Sequence, residues 1–270
     1  MLKFNNGLTS AGVAATDPVA QRLNLSEGEQ GWKNLLRELP SLADIFDSAK
    51  SVTAFIYQRR IAFQCGVITG QHWAMLPSAA GVVDPLLSTG FPLTLLGIER
   101  LARILAGPGL SLSAASELQR YAQLTELELE TTAHLVAALY STMDRFDLFS
   151  ELTLLYFAAA SFSETARRLN KPGLADSFLL CKHPVFMRQL LDCCSRATHT
   201  RTPAETVNFQ KLIRGAIKPF EVAGLSDRER HPWYPALVSD LYSTAPKLGV
   251  SEHEIRKMLE ECGLEQVHNV

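Results

Sequence analysis

The chain has 270 residues, of which 47% are hydrophobic and 20% are charged, and its formal net charge is −2 at pH 7. This length is enough to bury one large core or two smaller ones, and the composition is that of an ordinary globular protein. The near-zero charge excludes a basic nucleic-acid surface, no apolar run is long enough to span a membrane, and the five scattered cysteines favour a cytoplasmic location over a disulfide framework.

The N-terminal part of the chain predicts a β-hairpin. Asn5-Asn6-Gly7 separates two short apolar-rich runs, 1–4 and 8–14. An Asn-Gly step between such runs is a strong signal for a hairpin turn, because both residues tolerate a left-handed backbone. The following residues, 17–25, are predicted to be a linker.

A helix and several strands are predicted before residue 76. Ser26 and Glu29 have the spacing of a capping box, which predicts a helix that runs to about residue 39 and continues over 42–49. From Val52 to Leu76 apolar residues alternate with polar ones, and glycines interrupt the pattern. This alternation is typical of strands.

The most informative pattern lies between Trp73 and Leu105. A short apolar strand, 73–76, leads into a turn of small residues, 77–81. An Asp-Pro step follows at Asp84-Pro85, and Ser88-Thr89-Gly90 then opens a long amphipathic helix. The pattern predicts a strand, a loop and a helix in direct succession.

The start of this helix is suited to an anionic ligand. Pro92 is tolerated in the first turn, and a hydroxyl of Ser88 or Thr89 is expected to cap the helix. Gly90 lacks the Cβ atom that would hold a ligand away, and the helix dipole favours negative charge in front of it. An ordinary strand–loop–helix connection uses the same residue types, so the pattern alone leaves both interpretations open.

These residues resemble the second flavin-binding motif of the flavin-dependent halogenase and monooxygenase families. In those families Gly-Asp-Ala-Ala is followed by Asp-Pro and then by Ser-Ser/Thr-Gly at a helix start, and the spacing here is the same. The resemblance implies an FAD cofactor, with the turn against the ribityl and pyrophosphate groups and the helix N-terminus facing the isoalloxazine ring. The cofactor-binding residues that it implies are Ser78, Ala79, Ala80, Gly81, Asp84, Pro85, Ser88, Thr89 and Gly90.

Several features depart from the family pattern. Pro77-Ser78 stands where the family has Gly-Asp, so a neutral hydroxyl replaces the carboxylate that accepts ribityl hydrogen bonds. Asp84 is expected either to cap the turn or to hold a ribityl hydroxyl. Leu87 replaces the Glu of tryptophan halogenases, which argues against their mechanism. The family's upstream G-x-G-x-x-G motif is absent, so we expect the chain to correspond to the C-terminal portion of a family member, and no catalytic residue is assigned.

From residue 111 onward the chain is predicted to be almost entirely helical. Thr202 with Glu205, and Ser251 with Glu254, have the spacing of capping boxes. Apolar stripes on these segments are assigned mainly to a helix-bundle core, with a minor share to a substrate cavity by analogy with the family. The predicted helices span 113–143, 148–169, 184–197, 204–217, 233–245 and 252–262.

The predicted fold class is α+β, with a short N-terminal β-hairpin and sheet remnant of an FAD-dependent oxidoreductase followed by a large C-terminal α-helical region. The predicted domains are 1–110, which holds the second flavin motif, and 111–270, which is helical. Glu126, Glu128 and Glu130 are predicted to form a solvated stretch rather than an acid–base set.

Two functional hypotheses follow. In the first, the protein is an FAD-dependent oxidoreductase of the halogenase or monooxygenase type, acting on a small organic molecule with reduced flavin from a flavin reductase. In the second, it is a non-catalytic helical module that binds a partner. G-x-S-x-G, H-E-x-x-H and C-x-x-C motifs are absent from the sequence, so hydrolases and common zinc sites are not favoured and no metal is predicted.

Overall fold

A computed structural model of the chain describes residues 1–107, 112–227 and 237–264. Helices predominate among these residues and the strands are few and short, which agrees with the α+β class at a coarse level. The chain divides into two compact units, Met1–Ala62 and Phe63–Val270. The predicted domain boundary between residues 110 and 111 lies outside the described residues.

The first unit begins with the predicted hairpin. Strand β1 (Leu2–Lys3) pairs antiparallel with β2 (Thr9–Ser10), and Gly7 in the turn has a φ of 83°, which confirms the prediction. The predicted linker is wrong, because helix α1 (Asp17–Arg22) occupies it. A proline and an aspartate in the first turn favour a helix start there.

Two further helices complete the regular structure of this unit. Helices α2 (Glu29–Glu38) and α3 (Pro40–Phe46) confirm the predicted helical segment and its continuation. The predicted capping box is wrong, since Ser26 lies inside a short 3-10 helix and α2 begins after Gly28 without a side-chain cap. Trp32 packs edge-on against Phe46, with ring centroids 5.2 Å apart, and so joins α2 to α3.

The strands predicted between Val52 and Ala62 are absent. Their side chains alternate in the sequence, but the backbone pairs with no strand among the described residues, and Val52 and Ile56 are 72% and 93% exposed. Alternation produces a strand only where a neighbouring strand and a buried face exist to receive it. This part of the strand prediction is therefore wrong.

The second unit begins with two short antiparallel pairs. Strand β3 (Phe63–Gln64) pairs with β6 (Gly81–Val82), and β4 (Thr69–Gly70) pairs with β5 (Trp73–Ala74). Between them the predicted small-residue turn forms a single helical turn, α4 (Pro77–Ala80). The later part of the strand prediction is thus confirmed in shortened form.

The long helix predicted after Ser88-Thr89 is helix α5 (Gly90–Leu105). The sequence predicts an apolar stripe of Leu93, Gly97, Leu101 and Ile104 on this helix. Leu93 and Gly97 are buried, and Leu101 and Ile104 pack half-buried against the core. The remaining predicted helices are also present, although the first residues of the segment predicted over 233–245 lie outside the described residues. These helices are α6 (Leu112–Ser141), α7 (Phe146–Arg168), α8 (Pro184–Ala197), α9 (Pro203–Ile217), α10 (Val238–Ser243), α11 (Ala245–Leu248) and α12 (Glu252–Glu261).

The main core lies among helices α6 to α9. Leu139, Leu152, Leu155, Phe186 and Ile213 are completely buried there. The sequence predicts that the apolar stripe of Leu135 and Leu139 continues through Met143 and Phe146. This is wrong at its end, because Met143 lies in the turn after α6, Phe146 begins α7, and both are exposed. None of the helices in the described parts of the chain combines the length and apolar character needed to cross a membrane.

Both C-terminal capping boxes are confirmed. The Thr202 hydroxyl accepts a hydrogen bond from the Glu205 N–H at 3.3 Å, and the Glu205 carboxylate accepts one from the Thr202 N–H at 2.9 Å. The same reciprocal pair joins Ser251 and Glu254 at the start of α12. These caps satisfy N–H groups that have no partner within the helix.

Candidate functional site

A small cleft lies where the segment that resembles the flavin motif folds. Its volume is about 90 Å³, and its walls come from α4, β6, the start of α5 and one side chain of α6. Five of the nine predicted site residues line it: Ser78, Gly81, Asp84, Thr89 and Gly90. The other lining residues are Pro77, Val82, Val83, Leu93 and Leu129.

The remaining predicted site residues lie outside this lining. Ala80 is fully buried, and its carbonyl oxygen accepts a hydrogen bond from the Cys65 N–H at 2.8 Å. Ala79, Pro85 and Ser88 are exposed. The segment therefore contributes five of the nine predicted residues to the cleft, and the other four lie in its own turns.

Asp84 caps the turn, which is one of the two roles expected for it. Its Oδ1 accepts a hydrogen bond from the Leu86 N–H at 2.8 Å, and the Tyr140 hydroxyl donates to Oδ1 and Oδ2 at 3.1 and 3.0 Å. Burial of Tyr140 and the nearby Asp84 carboxylate raise the pKa of the tyrosine to about 12. The phenol consequently remains a protonated donor throughout the neutral pH range.

The turn after Asp84 has an unusual backbone. Leu87 and Ser88 are consecutive residues with φ values of 63° and 52°. These values lie in the left-handed region of the backbone map, which residues other than glycine rarely adopt. Each such residue costs about 1–3 kcal/mol and persists only where surrounding contacts fix it. The sequence carries no signal for this pair, because neither residue is Gly, Asn or Asp.

Thr89 and Gly90 follow this turn and face the cleft at the N-terminus of α5. The predicted hydroxyl cap is wrong: neither side chain before α5 caps it, and Thr89 has helical angles rather than the extended backbone of an N-cap. Thr89 is only 2% exposed, yet its hydroxyl hydrogen-bonds to nothing in the described parts of the chain and lines the cleft. The first N–H groups of the helix add positive dipole character at the same place.

Gly97 brings α5 into close contact with α4. A Cβ atom at this position would lie 2.3 Å from Cδ of Pro77, which lines the cleft. It would also lie 3.3 Å from the hydroxyl oxygen of Tyr121, which donates a hydrogen bond to the Met75 carbonyl at 2.6 Å. The position of Pro77 in the cleft wall thus depends on the absence of a side chain at Gly97.

Glu128 is completely buried, so the prediction of a solvated acidic stretch is wrong for this residue. Its carboxylate receives two hydrogen bonds from the Arg100 guanidinium, at 2.7 and 2.6 Å, and one from the Phe178 N–H at 2.7 Å. Burial acts to lower the pKa of Arg100, but the hydrogen bonds and charge of Glu128 outweigh it and raise that pKa. The pair joins α5, α6 and the turn before α8.

Leu129 and Tyr140, both on α6, are site residues outside the motif segment that the sequence did not reveal. Leu129 lines the cleft opposite Gly81, where a Cβ atom would lie 2.9 Å from its Cδ1. The Tyr140 hydroxyl donates hydrogen bonds to both carboxylate oxygens of Asp84. Contacts between segments far apart in the chain leave no local pattern, so helical periodicity could indicate only that these residues lie on a packed face.

The volume of the cleft sets a limit on what the described residues can hold. Pockets for whole small ligands and cofactors usually have roughly 300–1,000 Å³, so a cleft of about 90 Å³ is too small for complete FAD. No group of three or more His, Cys, Asp or Glu residues suited to a metal ion occurs within the described ranges. Comparisons with protein-family models, curated proteins and solved structures found no match to this chain.

Proposed function

We propose that this chain is part of an FAD-dependent oxidoreductase of the halogenase or monooxygenase type, and that its cleft receives one edge of the flavin. One observation carries the proposal: five of the nine residues that resemble the second flavin motif line a single cleft at the N-terminus of a 16-residue helix. In this proposal the chain corresponds to the C-terminal portion of a flavoprotein. Its α+β architecture then represents part of the flavoprotein's sheet together with its helical domain.

Each lining residue has a chemical part in this proposal. The Thr89 hydroxyl and the first N–H groups of α5 can donate to the negative charge that reduced flavin carries at its pyrimidine edge. Ser78 offers a neutral hydroxyl for a ribityl group, and Gly81 and Gly90 permit close approach. Bound FAD would supply the oxygen and redox chemistry, while the residues of the chain bind and orient it. The substrate would be a small organic molecule, with reduced flavin supplied by a reductase.

A substitution at Gly90 tests whether the cleft binds flavin. No heavy atom lies within 4 Å of the place a Cβ atom would occupy there, so a larger side chain fits the fold but fills the approach to the cleft. In titrations with FAD followed by the visible absorption spectrum, the unmodified chain should shift the flavin bands, and Gly90→Leu should weaken binding by about tenfold or more, equivalent to about 1.4 kcal/mol.

The matched control is Gly215→Leu. Gly215 lies on the exposed side of α9, also with open space at its Cβ position, and it does not line the cleft. This variant should bind FAD as the unmodified chain does. An unshifted spectrum of the unmodified chain at high FAD excess, or equal affinity of the two leucine variants, would contradict flavin binding in this cleft.

The second candidate function is a non-catalytic module that binds an amphipathic partner helix. It is favoured by a stripe of exposed apolar residues on the outer face of α5: Phe91, Leu95, Ile98 and Leu105. Steps of three, four and seven residues are the spacing of a helix–helix seam. The FAD titration distinguishes the flavin-binding function from the partner-binding function, because a module that binds only a partner helix should leave the flavin spectrum unchanged.

A further inference from the structure

Helix α6 contacts the cleft segment at three successive points. The Tyr121 hydroxyl donates to the Met75 carbonyl just before α4, Leu129 contributes to the cleft wall, and the Tyr140 hydroxyl donates to Asp84. Leu129 and Tyr140 are about three helical turns apart and so lie on the same side of α6. A single 30-residue helix therefore supports the whole segment from one side.

The last of these contacts lies directly behind the strained turn. Oδ1 of Asp84 accepts from both the Leu86 N–H and the Tyr140 hydroxyl, so the tyrosine fixes the orientation in which the carboxylate holds the turn. Leu87 and Ser88 follow with left-handed backbones, and the chain then enters the cleft wall at Thr89. Released from these hydrogen bonds, the two left-handed residues would relax toward the favoured regions of the backbone map.

We propose that Tyr140 is a positioning residue, whose hydroxyl acts through Asp84 to hold the Leu87–Ser88 turn and thereby sets the cleft wall formed by Thr89 and Gly90. As a statement about ligand binding, the proposal rests on the proposed flavin site. Its effect on the backbone is independent of which ligand binds. Tyr140 itself touches no ligand position, since it does not line the cleft.

The test combines Tyr140→Phe, which removes only the hydroxyl, with Asp84→Ala and the double variant. Hydrogen–deuterium exchange of peptides covering residues 83–91 is measured by mass spectrometry, with peptides from α8 as an internal reference. Tyr140→Phe should accelerate exchange in the turn by about tenfold, because hydrogen bonds to a charged group are the strong ones. The double variant should exchange no faster than Asp84→Ala, since both changes interrupt the same connection.

Tyr156→Phe is the control, because Tyr156 is half-buried on α7 and its hydroxyl makes no hydrogen bond within the described residues. It should leave exchange in the turn unchanged. Equal exchange in Tyr140→Phe and the unmodified chain, additive effects in the double variant, or acceleration that is as large in α8 as in the turn would each overturn the proposal.

Titration of the same variants with FAD separates this proposal from the proposed function. Weaker FAD binding by Tyr140→Phe, together with faster exchange in the turn, would support both. Faster exchange in the turn with no FAD binding by the unmodified chain would support the positioning role and contradict the flavin site. Normal FAD binding with unchanged exchange would support the flavin site and overturn the positioning role.

Discussion

Replacing Glu128 with alanine should lower the free energy of unfolding by about 3–5 kcal/mol, because it leaves one member of a buried ion pair without its partner. The Glu128 side chain is completely buried and that of Arg100 is 11% exposed. The substitution also removes the acceptor of the Phe178 N–H, which precedes two left-handed residues, Leu179 and Leu180. Urea denaturation followed by circular dichroism measures the loss.

Two further variants show whether the loss comes from the unpaired charge. Glu164→Ala removes an exposed carboxylate that pairs with Arg168 within α7, and it should leave the urea midpoint nearly unchanged. The double variant Arg100→Met, Glu128→Leu removes both charges and should be more stable than Glu128→Ala alone. A Glu128→Ala midpoint as high as that of Glu164→Ala would refute a stabilising role for the buried pair.

Gly97→Ala should destabilise the protein by about 1–3 kcal/mol, as overpacking does in a tight interior. The new methyl group would lie 2.3 and 2.4 Å from Cδ and Cγ of Pro77, and a proline ring can change only its pucker, which does not move both atoms out of contact. Helix α5 and α4 must therefore separate. This loss should appear although alanine has a helix propensity higher than that of glycine by about 1 kcal/mol.

Gly215→Ala is the matched comparison for this change. Gly215 is also helical, but nothing lies within 4 Å of its Cβ position, so alanine there should stabilise the protein by about 0.5–1 kcal/mol. Opposite signs for the two alanine substitutions in urea denaturation are the expected result. A Gly97→Ala variant as stable as Gly215→Ala would mean that α5 can move away from Pro77 without loss.

Elements defined by local chemistry were predictable from the sequence. The helix predicted over 184–197 has those bounds in the structure, since Pro184 fixes its first turn. The capping boxes at Thr202 and Ser251 formed because all their hydrogen bonds lie within four residues. The hairpin at Gly7 also formed from contacts close in sequence, since its paired residues are at most eight positions apart. Ser26 failed as a cap although its spacing is identical, because it lies inside a 3-10 helix, Leu25–Glu27, and Gly28 is the residue that precedes α2.

Features that depend on distant contacts were not predictable. In the sequence Glu128 looks like its neighbours Glu126 and Glu130. Its burial is possible because Arg100 on α5 donates two hydrogen bonds to its carboxylate. The sequence drew attention to the segment from Ser78 to Gly90, which contributes five residues to the cleft wall, but not to the α6 residues that complete and support the cleft. Leu87 and Ser88 likewise adopt a backbone that their side chains disfavour, and tertiary hydrogen bonds around Asp84 hold it.

The contact between Tyr140 and Asp84 also bears on the order of folding. These residues are 56 positions apart, so the chain must close a long loop before their hydrogen bonds can form. Helix α6 can assemble from local contacts first, whereas the left-handed turn gains its support only after α6 has docked. Loss of the Tyr140 hydroxyl should therefore speed unfolding and leave the folding rate nearly unchanged, as expected for an interaction that forms after the transition state.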